Sequence, residues 1–207
     1  MDNLRTLKNI PITNKTIGGL FPELVGKNQK VRELEKLGEI IRLKRGLYVV
    51  SPQKSGVTIS TELIANHLYG PSYVSMLSAL RYYGLIPEMV YTMQSMTIKH
   101  SRSFENSLGR FQYLSCPVEY YGIGLSQVKS GSAQFIMASP EKALCDLIVN
   151  THGLNLRYRR ELLDCLENDF RLDMDAFEKM DPTIFRRCAE VGKKKVTLIL
   201  LANILER

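Results

Sequence analysis

No two cysteines stand close enough for a CxxC pair; Cys116, Cys145, Cys165 and Cys188 are spread along the chain. That spacing offers no zinc cluster. With no apolar stretch suited to a signal peptide, it leads us to expect reduced thiols in a cytoplasmic protein. Cys145 and Cys165 fall among apolar residues of expected helices, where a free thiol packs as a small hydrophobe. Histidine is just as thin on the ground: His67, His100 and His152 lie far apart, and none is four residues from another His or Cys, so no metal is expected. No run approaches the ~18 apolar residues of a membrane span. The longest, Val196 to Leu205, contains Thr197 and Asn203 and reads as a buried helix. There is no internal repeat and no low-complexity segment. Gly122-Ile123-Gly124 lacks the third glycine of a dinucleotide fingerprint and reads as a loop between strands. Glu141 and Asp146 would sit about 140° apart on a helix, so they do not form a carboxylate pair. No catalytic residue and no cofactor is expected.

What is present is 207 residues, 44% hydrophobic and 24% charged, enough for two modest domains of a globular protein. The net charge of +7 is unevenly placed. Residues 1–54 hold 11 Lys/Arg and 5 Asp/Glu, whereas residues 55–207 hold 17 and 16. The excess therefore sits in the first quarter of the chain, and clustered positive charge is the electrostatic footprint of phosphate contact.

The same quarter carries a structural pattern. Thr13 suits a helix N-cap, with Ile17, Leu20, Phe21 and Leu24 as buried positions and Pro22 dividing the segment. Asn28 can cap a second helix over about 28–37, whose Val31, Leu34 and Leu37 share a face and which Gly38 ends. Ile41 and Leu43 then alternate with Arg42 and Lys44, Gly46 allows a tight turn, and Leu47 to Val50 returns as a strand. Helix, turn and basic β-ribbon are the ending of a winged helix-turn-helix, so double-stranded DNA is the expected partner. The candidate contacts are Lys27, Asn28, Gln29, Lys30, Arg32 and Lys36 on the helix, with Arg42, Lys44 and Arg45 on the ribbon.

Ser51-Pro52-Gln53-Lys54-Ser55-Gly56 reads as a polar, turn-rich linker, dividing a domain of residues 1–54 from one of 57–207. Beyond it, Ser60 caps a helix to about Leu68, and a further helix is expected over 73–83, ended by Gly84. Strands are expected at 91–93, 96–98, 111–114 and 134–137. Ser139-Pro140 opens a helix with Ala143, Leu144, Leu147 and Ile148 on one face. From Tyr158 the pattern is helical. The class is α+β: a winged helix-turn-helix, then a larger mixed sheet-and-helix domain with a helical final third. A second basic group, Arg186, Arg187, Lys193, Lys194 and Lys195, has its three lysines at a helix N-terminus, against the dipole. A solvated patch and a contact with an acidic partner or DNA backbone are the two readings of it.

Several of these segments together resemble the AbiEi antitoxins of type IV toxin–antitoxin systems. The resemblance rests on the wing Arg42-Leu43-Lys44-Arg45-Gly46-Leu47-Tyr48 and on Pro71-Ser72-Tyr73-Val74-Ser75 with Ser78-Ala79-Leu80 and Tyr83-Gly84-Leu85-Ile86-Pro87. It rests also on Ala138-Ser139-Pro140-Glu141-Lys142-Ala143-Leu144-Cys145-Asp146-Leu147. It covers about residues 10–150, and the final helical third matches no motif. The resemblance implies a winged helix that binds inverted repeats in its own promoter, and a second domain that neutralises a nucleotidyltransferase-like toxin encoded beside it. Two other readings stay open: a regulator without a toxin, whose second domain dimerises or binds a ligand, and an enzyme acting on nucleic acid that uses the winged helix for targeting.

Overall fold

The computed structural model describes residues 4–206. A 3-10 turn at Arg5–Leu7 leads into β1 (Ile12–Thr13), α1 (Asn14–Gly19), α2 (Lys27–Lys36), β2 (Ile40–Lys44) and β3 (Leu47–Val50). These three strands form an antiparallel sheet in the order β1-β3-β2. Thr13 caps α1 by accepting the Thr16 N–H, as its position suggested. The start of α2 differs from expectation, because its N-cap is Gly26 and Asn28 lies inside the first turn. Its end is a Schellman motif: the Gly38 N–H reaches the Glu35 carbonyl and the Glu39 N–H reaches that of Leu34, with Gly38 at φ +69°. Because α2 stops at Lys36, Leu37 falls outside the apolar stripe and is 64% exposed. Leu24, also expected inside, is exposed as well.

The small sheet is covered on both faces. Ile40, Tyr48 and Val50 point to one side and pack with Leu4, Ile12, Ile17, Val31 and Leu34. Leu43 and Val49 point to the other and belong to the main core of the molecule. The alternation of side chains along a strand produces this split. A register shift between Arg42 and Lys44 breaks the pairing with β3, and a bulge of this kind re-aims the side chains beside it. The segment expected as a linker is folded onto the sheet. Residues Pro52–Ser55 form α3, Ser51 is buried with its N–H on the Glu39 carbonyl, and Lys54 pairs with Glu39 at 3.0 Å.

The larger part is a mixed six-stranded sheet wrapped by helices. Its elements are α4 (Thr61–Leu68), β4 (Ser72–Val74), α5 (Met76–Tyr82), β5 (Thr92–Thr97), β6 (Arg102–Asn106), β7 (Gly109–Ser115), α6 (Val118–Tyr121), β8 (Leu125–Ser130), β9 (Ala133–Ala138) and α7 (Pro140–Asn150). The strand order is β6-β7-β5-β4-β9-β8, with β4–β9 and β5–β7 parallel and the other pairs antiparallel. Ser60 and Ser139 cap α4 and α7 as their positions suggested. The helix expected over 73–83 begins only at Met76. Ser72, Tyr73 and Val74 are instead a central strand buried on both faces, where an apolar run has no period to distinguish strand from helix. Residues 91–93 and 96–98 join into one strand through Gln94 and Ser95. Strands β6 and β8 were absent from the sequence reading, since both are polar edge strands.

The last third is helical: α8 (Arg159–Asp164) running into a π turn at Cys165–Asp169, then α9 (Met174–Phe177), α10 (Pro182–Val191) and α11 (Lys195–Leu205). Leu162, Phe177, Phe185, Leu198 and Leu201 from these helices join the main core. Among the described residues no helix is long and apolar enough to cross a membrane. The architecture is mixed α+β.

Candidate nucleic-acid interface

Helix α2 sits on the small sheet through Val31 and Leu34. With 100° per residue, Gln29, Arg32 and Lys36 fall on one stripe on the opposite side, and all three are exposed. That stripe points away from the sheet, and so away from the main core on the sheet's other face. Lys30 is half-buried, pairs with Glu33 at 3.0 Å and lies 5.8 Å from the Phe21 ring centroid. Its charge is therefore partly matched at home. Asn28 is exposed beside the N-terminus of the helix. Lys27 lays its aliphatic stem over α1, where a Cβ on Gly18 would stand 3.1 Å from the Lys27 Cδ. The two helices meet closely at that glycine.

On the ribbon the three cations part company. Arg42 is exposed on β2 and Arg45 is exposed in the turn, where Gly46 at φ +78° closes the hairpin. Lys44 is turned the other way. Its amine donates to the Leu68 carbonyl at the end of α4 and lies 5.8 Å from the Phe104 ring centroid. Burial, then the neighbouring Lys99 and Arg102, hold its pKa below the ordinary lysine value. Asn106 on β6 donates to the Leu43 carbonyl at 3.1 Å, which binds the same stretch of ribbon to the larger sheet. Lys44, expected at the wing tip, thus joins the ribbon to the main body, because the bulge beside it takes it out of strict alternation. The α2 stripe, Asn28, Arg42 and Arg45 are expected contacts that remain exposed and, among the described residues, without a bond to the main body.

No family model matches the chain, and no curated protein matches it.

The second basic group is not a single patch. Arg186 forms a two-pronged contact with Glu206 and also reaches Asn203 at 3.0 Å, joining α10 to α11. Lys194, at φ +54°, turns its amine onto the Ile148 carbonyl at 2.7 Å and onto that of Thr151, capping the C-terminus of α7. Arg187 and Lys195 are exposed, and Lys193 lines a cavity. The unfavourable row of lysines at the start of α11 is resolved for Lys194, which serves the preceding helix instead of its own.

Sequence reasoning missed a buried polar network inside the main core. Lys142 and Asp146, one turn apart on α7, pair at 3.1 Å with both side chains at 0% exposure. Asp146 Oδ2 accepts from the Ser75 hydroxyl at 2.6 Å and the Tyr73 hydroxyl at 3.0 Å. The Lys142 amine lies 3.0 Å from the Tyr120 ring centroid and donates to the Tyr120 carbonyl at 3.2 Å. Burial first, and then the Asp146 charge, push the Tyr73 hydroxyl far above its usual pKa. Burial raises the Cys116 thiol to about 11, and all four cysteines are buried and free. These contacts tie β4, α6 and α7 together, while the buried Tyr120 hydroxyl has no hydrogen-bond partner among the described residues. The signal in the sequence was a Lys and an Asp four residues apart on an otherwise apolar helix. Glu141, on another side of the helix, accepts the Asp181 N–H at 3.2 Å and takes no part in this network. Among the described residues no cluster of three or more His, Cys, Asp or Glu could hold a metal ion.

Proposed function

We propose that this protein is a DNA-binding autoregulator of the winged helix-turn-helix kind, and that its larger part antagonises a nucleotidyltransferase-like toxin encoded beside it. The observation that carries the DNA-binding reading is the element order turn–β1–α1–α2–β2–β3 around a β1-β3-β2 sheet, with α2 presenting Gln29, Arg32 and Lys36 outward. In this arrangement the second helix of the pair enters the major groove and the ribbon lies along the backbone. The charge excess of residues 1–54 supports it, since phosphate contacts supply the sequence-independent part of the affinity. The antitoxin half rests on the AbiEi resemblance alone.

The test is binding to the DNA upstream of the protein's own coding region across a salt series. Arg45→Ala is expected to weaken binding on all sequences and flatten the log–log salt slope by about one unit. Arg32→Ala is expected to cost about 1–3 kcal/mol of discrimination between operator and random DNA. An unchanged slope together with unchanged discrimination would reject the interface. For the antitoxin half, co-expression with the neighbouring toxin should restore growth; failure to do so with protein that still binds its promoter leaves the regulator alone. That second reading, a regulator whose larger part binds a ligand, is favoured by one feature, the cavity beside Lys193.

A further inference from the structure

We infer that the cleft between β5, α6, α7 and the α10–α11 turn is a binding site for a small amphipathic carboxylate. Its volume, 490 Å³, lies in the range of small-molecule sites, about 300–1,000 Å³. Met96, 1% exposed, forms part of its floor, and Val149, Val191 and the Tyr120 ring supply apolar wall. Lys193 is the one charged side chain among the described residues that line it. An apolar body with a single anionic group matches that lining: the body covers Met96, Val149 and Tyr120, and the carboxylate meets the Lys193 ammonium. Val191, 42% exposed, carries the apolar lining out to the surface.

The walls are built rather than incidental. The buried Lys142 amine, outside the cleft lining, lies 3.0 Å from the Tyr120 ring centroid, and the Asn150 amide is fixed on the cleft wall by its bond to the Asp146 carbonyl at 2.8 Å. Gly192 brings the lip against the ring: a Cβ there would lie 2.8 Å from Tyr120 Cε2 and 2.5 Å from the Cys188 carbonyl oxygen. One residue further on, Lys194 ties the same turn to the end of α7. Lys193 stands between these two anchors, so its backbone is fixed at the mouth of the cleft. This gives the lysine run a role that neither helix propensity nor capping explains.

The full chain, labelled with ¹³C-methyl methionine, provides the test, with 4-phenylbutyrate as the probe and 4-phenylbutyramide as its neutral counterpart. The Met96 methyl signal, assigned with Met96→Leu, should shift saturably with the acid. A partly exposed ion pair should make the amide about fivefold weaker. Lys193→Ala should erase that preference, Lys193→Arg should keep it, and Lys195→Ala, a change outside the cleft, should leave it intact. An unmoved Met96 signal, equal affinity for acid and amide, or the same loss in Lys195→Ala would each overturn the site. Because none of these readouts involves DNA, failure here is separable from failure of the winged-helix reading.

Discussion

Asp146 illustrates how much one side chain can hold. It receives the Ser75 and Tyr73 hydroxyls on one oxygen and faces the Lys142 ammonium with the other, all without contact with water. Removing one partner of such a pair leaves the other charge buried and alone, which costs about 3–5 kcal/mol. Asp146→Ala is therefore expected to lower the melting temperature by roughly 6–20 °C, at the 2–4 °C per kcal/mol usual for a chain of this size. The double change Lys142→Met with Asp146→Leu should recover only the part of the loss that comes from the lone buried charge, because the Ser75 and Tyr73 hydroxyls stay without their acceptor. A double variant as unstable as Asp146→Ala would show that the network matters for something other than paired charge. Lys44 makes the complementary point. The sequence places it beside Arg45 at the tip of a basic ribbon, but in space its amine lies on the Leu68 carbonyl. Composition can count cations; it cannot say which of them a bulge has turned inward.

At the level of the element, the helix ends were the most legible part of the chain. Thr13, Ser60 and Ser139 each accept a backbone N–H three residues on, as their residue type and position suggest. Capping is local chemistry, so it survives the loss of tertiary information. Strands were read less well. The polar edge strands β6 and β8 lack an apolar alternation, and the central strand β4 lacks any alternation because both its faces are covered. Capping also supports a prediction. Asp181 heads α10, accepting from the Thr183 N–H and hydroxyl, both at 2.8 Å, and these bonds hold its carboxyl below the usual aspartate pKa. Asp181→Ala should cost about 1 kcal/mol at neutral pH. A carboxylate with a lowered folded pKa contributes fully above its unfolded value of 3.8, and the contribution is lost as pH falls through the lower folded value. The gap between wild type and variant, read from urea midpoints, should therefore narrow below about pH 4. A gap that stays constant down to pH 2 would mean the cap acts without its charge.

For the molecule as a whole, the question is whether the basic first quarter is a separate unit. Its composition and the polar segment at 51–56 suggest independence, and on that reading a fragment of residues 57–207 folds unaided. The packing argues for coupling. Leu43, 3% exposed, and Val49, 0% exposed, fill the main core from the far face of the small sheet. Lys44 and the Leu43 carbonyl bond to α4 and β6, and Ser51 is buried where a free linker would be wet. None of this was legible in the sequence, because the period of a strand tells that two faces differ but not that both are covered. If the contact is cohesive, Leu43→Ala should remove about 2–5 kcal/mol, as for other buried leucines. The whole protein should still melt in one calorimetric transition, at lower temperature, with α2 and α7 amides losing protection together. The fragment 57–207 should be less stable than the full chain, since it leaves the sites of Leu43 and Val49 open to water. Two transitions, with only one displaced by Leu43→Ala, would restore the picture of independent units. A single displaced transition would mean that any signal reaching the larger part is felt at α2 through the sheet between them.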